Sequence, residues 1–246
     1  MQFTIFTMIG SLFKIALRSI WKNKGYSALN ILGLAIGITC TSMIFLWVEN
    51  EINYNSSIPE QQRVFYVPIN QMYEGEWQTF YASPGPLAEA LKREIPEIEK
   101  AGRLWSASSL FSVEDKIINS KGRYADPDIL DIFGLTFIEG NAANAFEKLN
   151  SIVITKETAK QLFGSDVPVM GKSIYIDNSK MLEVTGVIQN LPANFSFKFN
   201  WLCPFEVYAK DNVWTKDYDN NFADTFVKLT DGANIDEVDG TVRDLL

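Results

Sequence analysis

The 246-residue chain is 47% hydrophobic and 21% charged, a balance that supports a folded core and excludes a disordered chain. It carries a formal charge of −8 and no histidine, which removes Ser-His-Asp and Cys-His catalysis and His-ligated zinc. The charge is uneven: residues 1–48 hold Lys14, Arg18, Lys22 and Lys24 and no acid, leaving 18 cations against 30 acids beyond them and no basic face for a nucleic acid.

Residues 1–26 read as a cytoplasmic and interfacial segment. Phe13, Leu17, Ile20 and Trp21 fall at helical spacing, with Lys14, Arg18 and Lys22 on another face, the pattern of a helix lying at a membrane surface. Residues 27–48 (SALNILGLAIGITCTSMIFLWV) carry no charge; as a helix they span about 33 Å, enough to cross a bilayer. A cleaved signal would be shorter and would end in a small-residue site, and eight further uncharged residues after Cys40 argue against lipoprotein processing there. The cations before the span and Glu49 and Glu51 after it place the N-terminus in the cytoplasm by the positive-inside rule. Gly33, Gly37 and Thr41 recur every four residues, a strip of small side chains that lets another helix approach closely. Cys40 in the span and Cys203 in the polar region are badly placed for a disulfide.

Residues 49–246 read as an extracytoplasmic α+β domain. Residues 63–70 (RVFYVPIN) predict a strand, with an edge or bulge at Pro68. Pro84 marks a helix start; Leu87, Ala88, Leu91 and Ile95 form its apolar face, which is expected to pack on that first strand, and Pro96 ends it. Residues 101–125 alternate and predict hairpins, with a turn at 119–122. Residues 128–133 predict a short helix closed by Gly134, and 135–138 a strand ended by Gly140. Residues 151–154 predict a buried strand, after which Thr155 caps a helix whose apolar face is Ala159, Leu162 and Phe163 and whose end is Gly164. Two strands, 171–176 and 182–188, flank the polar turn 177–180. Mixed strands and helices in this order give an α+β class.

For chemistry, the best acid group is Asp126, Asp128 and Asp131, although its spacing lacks the glycine and terminal glutamate of an EF-hand and such acids are commonly solvated. A second acidic and aromatic stretch runs over 214–224. Trp201, Phe205, Tyr208 and Trp214 serve either core packing or contact with a partner. No phosphate-binding GxxxxGK[ST] occurs, and no cofactor is implied.

Residues 150–190 (NSIVITKETAKQLFGSDVPVMGKSIYIDNSKMLEVTGVIQN) resemble the periplasmic core of MacB-like and FtsX-like ABC-transporter permeases. The matching features are Thr155, Ala159, Lys160, Phe163, Gly164, Pro168, Gly171, Lys172 and the Val-Thr-Gly-Val run containing Gly186. One departure is visible: Pro168-Val169-Met170-Gly171-Lys172 is one residue longer than the usual Pro-Ile-Gly-Lys, which implies a local loop change. Residues 125–140 and the run from Arg18 toward Asn30 match the same family in the same order. The resemblance implies a dimeric permease in the bacterial inner membrane whose second subunit is a copy or homologue, driven by a cytoplasmic ATPase and working mechanically, with a periplasmic adaptor as a further partner. It leaves the cargo open among lipoproteins, antibiotics, peptides and cell-wall hydrolase activation. Such permeases continue with three more spans and a coupling helix, so this chain reads as their N-terminal part. The alternative is a single-span anchored binding or signalling module without transport.

Overall fold

The computed structural model describes residues 14–165 and 167–245. It divides into two compact units, one ending at Tyr54 and one beginning at Asn55.

In the first unit, residues 14–22 form helix α1, and α2 (Lys24–Ile52) follows after Asn23. A helix is thus present over the described part of that segment; Phe13 lies outside the described residues. The 29 residues of α2 measure about 43 Å and extend the uncharged stretch at both ends. None of them is buried, and the helix is long and apolar enough to cross a membrane. Water disfavours so apolar a surface exposed all round; lipid or a neighbouring helix satisfies it.

The second unit is built from β1 (Val64–Tyr66), β2 (Ile69–Tyr73), β3 (Glu76–Phe80), β4 (Ser83–Pro84), α3 (Leu87–Glu94), β5 (Ile98–Val113), β6 (Lys116–Ala125), α4 (Asp128–Ile132), β7 (Phe137–Glu139) and α5 (Ala142–Ala145). It continues through β8 (Ser151–Thr155), α6 (Lys156–Phe163), β9 (Ser173–Ile176), β10 (Lys180–Ile188), β11 (Trp201–Pro204), α7 (Phe205–Ala209), β12 (Asn221–Leu229) and α8 (Ile235–Leu245). Among the described residues the main sheet has ten strands, ordered β1-β12-β5-β6-β11-β8-β10-β7, with β4 against β12. Strand β9 bonds to both β10 and β5, so β5, β6, β11, β8, β10 and β9 close into a ring. Every strand of that ring sends a side chain into one cluster: Phe111, Tyr124, Trp201, Ile154, Val184 and Ile176. Trp201 is wholly buried, and its Nε1–H donates to the Ser120 carbonyl at 3.0 Å, so its polar end costs nothing to bury. A second cluster gathers α4, Phe195 and Phe199 against the other face, and a third packs Leu87 and Leu91 of α3 and Val238 of α8 on β5 and β12.

Several local expectations are corrected. The strand over 63–70 is two strands in two sheets, because the chain turns out of the main sheet at Val67-Pro68. Helix α3 starts after Pro86 rather than at Pro84, which lies in β4, and it packs chiefly on β5 and β12 rather than on β1. The turn expected at 119–122 sits instead at Glu114-Asp115, with Glu114 at φ +52; residues 119–122 are paired within β6. Gly122 is there for a different reason: a Cβ would come within 2.1 Å of the Trp201 ring. Strands β7 and β9 each begin two residues later than expected.

Candidate functional site

The family-motif residues form a structural module. Thr155 Oγ1 accepts the Thr158 N–H at 3.3 Å and so caps α6, while Thr158 Oγ1 donates to the Asn200 carbonyl at 3.2 Å. Ala159 and Leu162 are buried, and Phe163, half-buried beside them, carries the Lys172 ammonium at 5.1 Å from its ring centre. Gly164 ends the helix at φ +96, a conformation a side chain would strain. The Gly171 N–H donates to the Val184 carbonyl at 2.8 Å, and Gly186 admits the Phe137 ring, which a Cβ would meet at 2.6 Å. The extra residue of the Pro-x-Gly-Lys loop is accommodated by burying Val169 and turning Met170 outward.

The acid group does not converge. Asp126 binds Arg103, Asp128 binds Lys92 and Asp131 binds Lys100, and among the described residues no cluster could hold a metal ion. Of the four aromatics, Trp201 and Phe205 are core, Tyr208 is half-buried, and Trp214 lies edge-on to Phe222 at 4.8 Å. In α2, a Cβ at Gly33 or Gly37 would meet nothing within 4 Å, and Thr41 Oγ1 bonds back to the Gly37 carbonyl at 2.9 Å, so the strip presents an open, self-satisfied face.

Two charge networks fix the domain's geometry. Arg103, 7% exposed, makes a two-pronged contact with Asp126 at 2.7 and 2.9 Å, donates to the Gly85 carbonyl at 2.8 Å and stacks over Phe205 at 4.3 Å. Burial alone would lower its pKa, but the Asp126 hydrogen bonds and charge hold it raised. Tyr66 donates to the Tyr81 carbonyl beside Asp224, which Arg123 binds at 2.7 Å. Burial, then the Asp224 charge, pushes the Tyr66 hydroxyl well above its ordinary pKa.

The concave feature is one that the sequence reading passed over. Strands β2 and β3 form a separate hairpin, turned by Glu74 (φ +52) and Gly75 (φ +88), whose Met72–Trp77 cross-strand pair is 56% and 72% exposed. Between that hairpin, the edge strand β1 and α8 lies a groove of about 1050 Å³ lined by Val67, Met72, Trp77, Leu229, Val238 and Val242. Its lining holds two charged side chains, Asp239 and Arg243, committed to each other at 2.6 Å. Chemically the groove suits an apolar segment. The signal for the hairpin was in the sequence: Glu74-Gly75 set between Tyr73 and Trp77, with Phe80 and Tyr81 beyond.

The family described as MacB-like periplasmic core domain matches residues 27–245. The macrolide export ATP-binding/permease protein MacB of Salmonella paratyphi A, and likewise that of Salmonella typhi, is 25% identical over 138 residues, 54% of this chain. That match spans only 20% of those relatives' length. Among solved structures, a domain of a protein assigned as a permease from Porphyromonas gingivalis gives a TM-score of 0.65 at 25% identity, covering 75% of this chain and 80% of that one. The periplasmic region of MacB from Actinobacillus actinomycetemcomitans (TM-score 0.57, 15% identity, 77% and 84% covered) shares the fold. So does the extracellular domain of the ABC-type transporter YknZ from Gram-positive bacteria (0.51, 16%, 71% and 86%).

Proposed function

The chain belongs to the family of MacB-like periplasmic core domains, and from that membership we propose that it is the permease part of an ABC transporter whose external domain is moved by ATP hydrolysis in a cytoplasmic partner. The observation that carries this reading is covalent economy: α2 ends at Ile52 and the periplasmic-type domain begins at Asn55. In the proposed arrangement residues 1–26 are cytoplasmic or interfacial, residues 27–48 cross the inner membrane, and residues 49–246 lie in the periplasm. The permease pairs with a second copy or homologue through the Gly33, Gly37 and Thr41 face, and its motion serves efflux or extraction of substrate. A periplasmic adaptor docks an apolar segment in the groove beside Trp77.

Affinity purification of the full-length product from native membranes tests this. An ABC ATPase in the eluate supports the transporter, and loss of a soluble periplasmic protein from a Trp77→Ser eluate, with the ATPase retained, supports the groove as the adaptor's seat. The groove also favours a second reading, an anchored binding module without transport. A soluble partner recovered with no ATPase would establish that reading and end the first.

A further inference from the structure

The domain begins at a residue in the left-handed region. Asn55 has φ +58, a conformation that asparagine tolerates better than most side chains. Its N–H donates to the Asn194 carbonyl at 2.9 Å, its Oδ1 accepts the Ser196 N–H at 2.8 Å, and its Nδ2 donates to Ser196 Oγ at 2.7 Å. Between those two loop residues, Phe195 is buried and edge-on to Phe133 at 5.3 Å, so the loop is itself anchored in the core. Three residues past Asn55, Ile58 is buried in the same cluster. The Pro59 ring then lies against Gly134, where a Cβ would come within 2.2 Å of it. Residues 55–59 are therefore held at three successive points.

We propose that this weld is where displacement of α2 enters the domain, with Asn55 as the positioning residue that ties the helix's continuation to the 194–196 loop. The inference rests on reading the chain as a moving permease. Its physical basis is the shortness of the tether: only Asn53 and Tyr54 intervene, and the path from Ile52 to Asn55 extends at most about 11 Å. A larger shift of the helix must pull on the clamp. Without the clamp the pull reaches Ile58 and then β1, an edge strand that peels from β12 one pair at a time.

Single-molecule tweezers on the full chain in detergent measure this directly, with handles at Glu51→Cys and Asp115→Cys and with Cys40→Ser to leave no other reactive thiol. The unchanged weld is expected to open only together with the domain. Asn55→Ala, and separately Ser196→Ala, should release residues 55–63, about 30 Å of chain, in an early step at lower force. Asn55→Asp, which keeps the Oδ1 acceptor and tolerates positive φ but gives up the same Nδ2–Oγ bond as Ser196→Ala, should open at a force between those of Asn55→Ala and the parent, near that of Ser196→Ala. An unchanged main opening force shows that each variant is folded. An early 30 Å step in the parent, or variant traces identical to the parent's, overturns the proposal. No ATPase enters the assay, so the weld and the transport reading stand or fall separately.

Discussion

Removing the Asp126 carboxylate leaves the Arg103 guanidinium buried with the Gly85 carbonyl and the exposed Glu89 as its remaining partners. An uncompensated buried charge is costly, so Asp126→Ala should lower unfolding stability by about 3–5 kcal/mol, while the double variant Asp126→Ala/Arg103→Met, which removes the charge as well, should cost far less. Urea titration of both variants checks this; equal losses would show that the pair acts only by packing. Two tyrosines set the alkaline limit. Burial raises the pKa of Tyr66, with Asp224 adding to it, and burial likewise raises that of Tyr124. The unfolded chain therefore gives up these protons first, near the ordinary tyrosine value of about 10, and stability present below that pH is lost as pH climbs through the folded values. The urea midpoint should fall between pH 8 and pH 10.5, and Tyr66→Phe should flatten that fall; a midpoint indifferent to pH would remove the argument.

Among the elements, α2 makes the clearest demand. Its small-residue face can serve close packing only while Gly33 and Gly37 lack side chains, so replacing both with leucine should weaken self-association of the full-length protein in bilayers, read by energy transfer between labelled copies, at unchanged expression. Undiminished transfer would assign the two glycines to ordinary helix composition. The elements also show what a sequence displays and what it hides. The β8–α6–β9–β10 unit was legible almost residue by residue, because Thr155, Gly164 and the Asp177-Asn178 turn each announce a local conformation with a local residue. Gly122 misled for the converse reason: its smallness answers Trp201, 79 positions away, and nothing beside it in the sequence records that contact.

At the scale of the whole molecule, the α+β class and the long apolar helix followed from composition and periodicity, while sheet order did not. Pairings such as β1 with β12 and β9 with β5 join segments far apart in sequence and leave no local mark. The groove was hidden for the same reason, since its walls come from opposite ends of the domain. Ring closure by β9 also sets a timetable for biogenesis. Phe111 pairs with Ile176, 65 positions later, so a chain emerging N-terminus first at about 5–20 residues per second leaves the Phe111-Ser112 end of β5 without that partner for roughly 3–13 s. During that interval the newborn domain offers a bare strand end to its neighbours, and β9 covers that end before β12, still later in the chain, pairs with residues 98–104 of β5.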